Sequence, residues 1–195
     1  MNSVLITGAT SGFGEACARK FAAHGQRLVL CARRADRLSA LADELSQITE
    51  VHSVVLDVRD REAVFALPAA LPAAFADVGI LVNNAGLALG LGGADVASVD
   101  DWEAMVDTNI KGVMYLTQAM LPGMVARGGG HVVNIGSVAA SWPYPGGNVY
   151  GGTKAFVQQF SRNLRADLLG KSIRVSNIEP GMCETEFSVV RFNGD

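Results

Sequence analysis

The first strand-to-helix turn is formed by residues 4–14, VLITGATSGFG. Val4-Leu5-Ile6 is a short apolar run of the kind that forms a buried strand. Three glycines follow at GxxxGxG spacing, and a helical pattern begins at about Phe13. Glycines allow a tight turn and let backbone N–H groups approach a pyrophosphate, while the helix N-terminus adds partial positive charge. The order of strand, glycine loop and helix therefore predicts a dinucleotide site, with a plain structural turn as the alternative.

Strands and helices alternate along the rest of the chain. Further apolar runs predict strands over residues 27–31, 51–56, 80–83, 131–135 and 173–178. These runs are apolar on both faces, which is typical of strands covered by helices on both sides. We therefore predict an α/β fold with a doubly wound, mostly parallel sheet of Rossmann type, in a single domain over residues 1–195.

Helical patterns fill the intervals between the predicted strands. The helix from Phe13 to His24 ends at a glycine, and Asp36 is expected to cap the next helix. A weaker helix from about Asp60 should be cut by its prolines, Pro68 and Pro72. Two long helices are predicted near residues 100–127, with an irregularity at Pro122-Gly123, and near residues 150–169.

Composition excludes several functional classes. The net charge is −3 with no long run of one sign, so neither a nucleic acid nor an anionic membrane is an expected partner. The three cysteines and three histidines are widely spaced, which argues against a disulfide framework or a metal site. The N-terminus does not have the pattern of a signal peptide, and no apolar stretch is long enough to span a membrane. We expect a cytoplasmic protein.

The end of the second strand indicates which dinucleotide binds. NAD sites usually place a carboxylate here for the ribose hydroxyl, but this strand ends Cys31-Ala32-Arg33-Arg34. A guanidinium pairs well with a 2′-phosphate, which a carboxylate would repel. We predict NADP(H), with Arg33 as the main contact and Arg34 assisting. The alternative is that both arginines are simply solvent-exposed side chains at the start of a helix.

Later motifs extend the pattern over essentially the whole chain. Asn83-Asn84-Ala85-Gly86 follows the fourth strand, Asn109 lies in the next helix, Ser137 follows the fifth strand, and Tyr150-x-x-x-Lys154 comes 13 residues after that serine. In this order, the motifs resemble those of the short-chain dehydrogenase/reductase family.

The resemblance implies an NADP site along the carboxyl edge of the sheet. It assigns Asp57 to the adenine amino group and Val58 to packing on the base, and it places the segment from Pro180 to Thr185 over the nicotinamide. The implied cofactor contacts are Thr7, Gly8, Thr10, Ser11, Gly12, Phe13, Gly14, Arg33, Arg34, Asp57, Val58, Asn84, Ala85, Gly86, Tyr150, Lys154, Pro180, Gly181, Met182 and Thr185.

Tyr150 and Lys154 are the predicted chemical centre. A free tyrosine has a pKa of about 10, and a nearby ammonium lowers that pKa by favouring the phenolate. Residues i and i+4 share one face of a helix, so Lys154 should lie beside Tyr150. The family resemblance gives Ser137 a hydrogen bond to the substrate oxygen and Asn109 a water in a proton relay. By themselves, Ser137 would be a turn-forming serine and Asn109 an ordinary polar helix residue.

Within the family, the chain is most similar to the branch that acts on 3-hydroxy acids. That branch implies oxidation of serine, allo-threonine or 3-hydroxypropionate, or reduction of malonic semialdehyde. Arg191 is the candidate partner for a substrate carboxylate, with a solvent-facing arginine as the alternative, and Trp142 and Tyr144 are candidate pocket walls. The alternatives are a general carbonyl, sulfoacetaldehyde or ketoacyl reductase and, from another class, a non-catalytic NADP(H) sensor.

The resemblance also implies features of the assembly. Family members usually form homotetramers, and they carry a further helix and a seventh strand after the point that corresponds to residue 195. We therefore expect a homo-oligomer and six strands within these residues.

Overall fold

The structure, a computed structural model, describes residues 2–183. Its strands are β1 Ser3–Thr7, β2 Arg27–Ala32, β3 Val51–Val55, β4 Val78–Asn83, β5 Gly130–Ile135 and β6 Ile173–Ile178. Its α-helices are α1 Gly12–Ala23, α2 Ala35–Leu45, α3 Arg61–Ala70, α4 Val99–Val106, α5 Gly112–Ala126 and α6 Asn148–Asp167. The predicted strands all form, with ends that agree to within two residues.

The six strands make one parallel sheet in the order β3-β2-β1-β4-β5-β6. The predicted doubly wound, Rossmann-type fold is therefore confirmed. The chain reverses its direction of winding between β1 and β4. In open α/β sheets, this reversal leaves a crevice at the carboxyl ends of the strands, which is where ligands bind.

Apolar side chains pack on both faces of the sheet. Neighbouring residues of a strand point to opposite faces, so Val4 and Ile6 belong to one core cluster and Leu5 to the other. One cluster includes Leu38 of α2, and the other includes Leu116 of α5. The sheet is thereby held between two helical layers, leaving its carboxyl edge to form the site.

The long helix is irregular at a different place from the one predicted. A π-turn, Asp107–Lys111, separates α4 from α5, whereas α5 continues through Pro122. Pro122 is exposed, so water can bond the carbonyl that its missing N–H leaves unpaired. The π-turn contains Asn109, whose side chain bonds Leu87 and Thr153 on other elements, and no local pattern reveals those contacts.

Two predicted helix boundaries are wrong. Helix α3 passes through Pro68 and ends at Ala70, just before Leu71-Pro72, because the residue before a proline disfavours helical geometry. Helix α2 has Arg34 as its N-cap residue, so Asp36 lies inside the first turn and does not cap the helix. A carboxylate in the first turn interacts favourably with the helix dipole instead.

Among residues 2–183, none of the helices is both long and apolar enough to cross a lipid bilayer.

Candidate active site

A cleft of about 320 Å³ opens at the carboxyl edge of the sheet. The segments that follow all six strands contribute to it. Its lining consists of Gly8, Thr10, Ser11, Gly12, Phe13, Ala32, Arg33, Arg34, Leu56, Asp57, Val58, Asn84, Ala85, Gly86, Leu87, Ala88, Thr108, Ile135, Gly136, Ser137, Tyr150, Lys154, Pro180, Gly181 and Cys183. Most residues predicted for the cofactor and the chemistry are thus brought together in one cleft.

Several predicted residues lie elsewhere. Thr7, Gly14 and Asn109 lie behind the lining, and Met182 is fully exposed outside it. Trp142 and Tyr144, the expected pocket walls, are also absent from the lining; Trp142 is 73% exposed. Thr185 and Arg191 lie outside the described residues.

The glycine loop is braced from behind by Asn84. Its Nδ2 atom donates to the backbone oxygens of Thr7 at 2.9 Å and of Gly8 at 3.1 Å. Gly8 has a φ of +63°, and a Cβ there would lie 2.9 Å from Asn84 Nδ2. A Cβ at Gly14 would collide with the Gly8 carbonyl. These glycines are therefore required by the close approach of the loop to Asn84 and Ala85 and by its own tight turn.

The two arginines after β2 differ in their contacts. Both arginines are exposed and line the cleft. The Nη2 atom of Arg34 also donates to the backbone oxygen of Thr10 at 3.0 Å and to its hydroxyl at 3.3 Å. Arg34 therefore ties the glycine loop to the start of α2.

The carboxylate after β3 has a partner that the sequence analysis missed. Arg59 donates to both oxygens of Asp57, at 2.6 Å from Nη2 to Oδ2 and at 3.0 Å from Nε to Oδ1. These hydrogen bonds, more than the charges alone, lower the pKa of Asp57, and the charge of Arg33 lowers it further. Asp57 is therefore held ionised at the edge of the cleft, where it keeps acceptor capacity for a further donor.

At the other end of the cleft, Tyr150 and Lys154 lie on one face of α6. Both are 7% exposed, and the Nζ atom of Lys154 lies 5.8 Å from the centre of the Tyr150 ring. Nζ donates to the backbone oxygen of Ile135 at 2.8 Å. Burial lowers the pKa of Lys154 to about 8, so at neutral pH the side chain is still mainly an ammonium.

Ser137 lines the cleft beside this pair. Its Oγ atom accepts a 3.1 Å hydrogen bond from the backbone N–H of Ala139 and so caps the short 3₁₀ turn Val138–Ala140. The capping function and a role in the site are compatible, because a hydroxyl that accepts one hydrogen bond can still donate its proton.

Asn109 lies beneath the chemical end of the cleft and is 1% exposed. Its Oδ1 accepts from the N–H of Leu87 at 2.9 Å, and its Nδ2 donates to the Leu87 carbonyl at 2.8 Å and to Thr153 Oγ1 at 3.0 Å. Thr153 in turn donates to the backbone oxygen of Tyr150 at 2.8 Å. Asn109 thus connects the backbone at Leu87, which directly follows Asn84-Ala85-Gly86, to the helix that carries Tyr150.

A network of buried amide side chains beneath the cleft was also not predicted from the sequence. Asn83 donates to Asn134 at 2.8 Å, and Asn134 donates to Ser161 at 2.8 Å, which links β4, β5 and α6. Asparagine and serine have no distinctive pattern inside a strand or helix, so only their burial reveals the network.

The described part of the chain contains no cluster of side chains suited to bind a metal ion. Within residues 2–183, no three His, Cys, Asp or Glu side chains come close enough together to hold a metal ion.

Comparisons with known proteins agree with this geometry. The family model for short chain dehydrogenase matches residues 2–193. An NADP-dependent 3-hydroxy acid dehydrogenase of Salmonella typhi is 59% identical, over 98% of this chain and 77% of that protein. Sulfoacetaldehyde reductase 2 of Chromohalobacter salexigens is 56% identical, over 98% of this chain and 77% of that protein.

A solved structure shows that the similarity extends to the three-dimensional fold. The closed form of a serine dehydrogenase complexed with NADP⁺ superimposes with a TM-score of 0.94 at 57% identity, over 98% of this chain and 77% of that one. The matching family model and these identities are consistent with the order of motifs around the cleft. This chain belongs to the short-chain dehydrogenase family.

Proposed function

We propose that this protein is an NADP(H)-dependent oxidoreductase that interconverts a hydroxyl and a carbonyl on small 3-hydroxy acids. The observation that carries the proposal is the position of Tyr150, Lys154 and Ser137 at one end of a cleft whose other end holds the glycine loop and Arg33. The relatives described above, named for NADP and for 3-hydroxy acids or serine, support the same function.

The cleft fits a phosphorylated dinucleotide. Gly8 and Gly12 have φ values of +63° and +52°, which bring the loop backbone to the cleft at the N-terminus of α1, where a pyrophosphate is favoured. Arg33 would bind the 2′-phosphate, and Asp57 would accept from the adenine amino group. At the far end, Lys154 and Pro180-Gly181 would hold the nicotinamide side.

Tyr150 is the proposed acid and base. When the alcohol is oxidised, the Tyr150 phenolate takes the hydroxyl proton, and when the carbonyl is reduced, the phenol returns it. NADP(H), which Arg33, the glycine loop and Lys154 would hold in the cleft, would supply the hydride chemistry of the reaction. Lys154 lowers the cost of the phenolate by its positive charge, and Ser137 donates to the substrate oxygen, where negative charge develops.

The substrate class leads to a specific assay. NADP reduction should be followed by absorbance with serine, allo-threonine and 3-hydroxypropionate, and the reverse reaction with malonic semialdehyde. Turnover of at least one 3-hydroxy acid with NADP is expected. If none of these is used, and a panel of ketones, sulfoacetaldehyde and ketoacyl esters is reduced instead, the protein is a carbonyl reductase of the same family.

A sulfonate substrate is the second candidate, because a relative that is 56% identical is named for sulfoacetaldehyde reduction. The discriminating measurement is the ratio of kcat/KM for sulfoacetaldehyde and malonic semialdehyde. Binding of NADPH with no turnover across the whole panel would indicate a sensor.

A homo-oligomeric assembly in the cytoplasm completes the proposal. Membership of the family supports a homotetramer, which light scattering of the purified protein would test by its mass. The three cysteines of the described chain, Cys17, Cys31 and Cys183, are unpaired, and free thiols are typical of a reducing compartment. Fractionation of cells that produce the protein would test its location.

A further inference from the structure

Glu179 lies between β6 and the Pro180-Gly181 segment of the cleft. Its Oε1 atom accepts two hydrogen bonds, from Asn177 Nδ2 at 2.7 Å and from Gln158 Nε2 at 2.7 Å. Both are amide donors to a carboxylate, and such charge-assisted hydrogen bonds are shorter and stronger than those between neutral groups. Glu179 is therefore held from the strand on one side and from α6 on the other.

Gln158 lies on the face of α6 that carries the chemical pair. It follows Lys154 by four residues and Tyr150 by eight, and residues at this spacing stack on one side of a helix. Because Gln158 belongs to the same rigid helix as Tyr150, its hydrogen bond to Glu179 links the Pro180-Gly181 segment to the chemical pair.

The segment that carries Ser137 joins the same cluster. Gln158 Nε2 also approaches Ser141 Oγ at 3.3 Å, and the N–H of Val138 donates to the Pro180 carbonyl at 3.2 Å. A Cβ at Gly136 would lie 2.7 Å from Asn177 Oδ1, so the end of β5 packs directly against the cluster. Three walls of the chemical end of the cleft thus meet around the hydrogen bond between Glu179 and Gln158.

We infer that Glu179 and Gln158 are a positioning pair for the proposed reaction. The pair sets the distance between the Pro180-Gly181 wall, the Ser137 turn and the Tyr150 face of α6, while neither residue belongs to the cleft lining. The inference rests on the proposed function, in which that wall contacts the nicotinamide side of the cofactor. Small displacements at a reacting centre cost far more rate than the energy of the lost contact indicates.

The first test is a variant series read by NADPH fluorescence, which does not require turnover. Glu179→Ala removes the acceptor of two charge-assisted bonds, and we expect the Kd for NADPH to rise about tenfold. Glu179→Gln keeps an amide oxygen that can accept both bonds, so its Kd should stay within about threefold of the wild-type value. Gln158→Glu places two carboxylates together and should weaken binding at least as much as Glu179→Ala.

The charge-swapped double variant, Gln158→Glu with Glu179→Gln, provides the decisive measurement. The donor and acceptor exchange sides, so NADPH affinity and kcat should both recover by about tenfold relative to Gln158→Glu alone. A purely structural role would change stability in the same variants without this paired recovery. Melting temperatures are measured throughout to identify any variant that does not fold.

Gln159 gives the matched control. It is the neighbouring glutamine on α6, and its Nε2 bonds Asn163 Oδ1 at 3.0 Å on the exposed side of the helix. Gln159→Glu should leave NADPH binding unchanged. The inference is overturned if Gln158→Glu binds NADPH as tightly as Gln159→Glu does, or if the double variant does not recover. A wild-type protein that binds NADPH but turns over nothing would contradict the proposed function and leave the binding series interpretable.

Discussion

The ammonium nitrogen of Lys154 lies 5.8 Å from the centre of the Tyr150 ring and donates a hydrogen bond to the carbonyl of Ile135. Both side chains are buried, so their interaction is only weakly screened by solvent. The positive charge favours the phenolate of the tyrosine, and that is the property a proton acceptor needs near neutral pH.

Replacing Tyr150 by phenylalanine tests the proposed acid and base. The ring and its packing remain, whereas the group that exchanges the proton is lost. We expect kcat to fall by about 10² to 10⁴-fold, the usual contribution of general acid–base catalysis. The Kd for NADPH should change by less than about threefold, since the proposed cofactor contacts are spread over the whole cleft.

Tyr115→Phe is the control for that variant. Tyr115 lies on α5 and packs edge-on against Phe65, away from the cleft lining. The Tyr115→Phe variant should therefore keep full activity. Near-complete activity in Tyr150→Phe would exclude the proposed mechanism.

The two arginines after β2 should give different phenotypes. Arg33→Ala removes the exposed guanidinium that lines the cleft, so we expect KM for NADP to rise about 10 to 100-fold while KM for NAD hardly changes. Arg34→Ala removes the bonds to Thr10 and loosens the glycine loop, which both cofactors use. Arg34→Ala should therefore weaken the binding of NADP and of NAD by similar factors.

Steady-state kinetics with both cofactors measure this difference, with Arg61→Ala on α3 as a control outside the cleft lining. A wild-type preference for NAD, or an unchanged NADP/NAD ratio in Arg33→Ala, would refute the assignment of the 2′-phosphate to Arg33.

Burial of Lys154 should be visible as a pH-dependent contribution to stability. In the folded cofactor-free protein, burial lowers its pKa from 10.5 to about 8, so between these values the unfolded chain binds more protons than the folded one. The stability of the fold therefore rises with pH through this window. Below it, the folded protein carries the full cost of burying a charged lysine. Lys154→Met removes the titrating group and with it this dependence.

Urea unfolding of wild type and Lys154→Met should be compared at several pH values. The free energy of unfolding of wild type minus that of the variant is expected to increase by about 2 kcal/mol between about pH 7 and about pH 9.5. A difference that does not change with pH would show that the lysine is not desolvated in the fold.

Arg191 remains the predicted partner of a substrate carboxylate. Arg191→Ala should reduce kcat/KM for a 3-hydroxy acid by at least about tenfold more than for its neutral amide or alcohol analogue, because only the acid offers a charged, bidentate acceptor. Equal losses on the acid and on the analogue would exclude this role.

The order of elements and much of the cleft were predictable from local sequence. Buried strands appear as short apolar runs, and Gly8, Gly12, Arg33 and Lys154 lie in motifs whose spacing places them at the ends of strands or on one face of a helix. The carboxyl ends of parallel strands meet at one edge of a sheet, so these motifs converge once the fold class is known.

Partners contributed by distant segments were not predictable in this way. Arg34 was predicted only to assist Arg33 at a phosphate, and the sequence did not reveal that its guanidinium bonds Thr10 of the glycine loop. The π-turn at Asn109 and the bonds of Glu179 to Gln158 depend on elements that are far apart in the chain.

Local periodicity and glycine spacing thus sufficed to predict the fold class, because they depend on residues close together in sequence. The order of motifs along the chain supplied the family resemblance, which singled out Tyr150 and Lys154. Tertiary structure decided that Arg34, and not Arg33, braces the glycine loop. It also decided where the long helix is irregular and how the Pro180-Gly181 segment is tied to α6. Each of these features depends on hydrogen bonds between side chains and atoms that become neighbours only when the sheet and its helical layers have packed together.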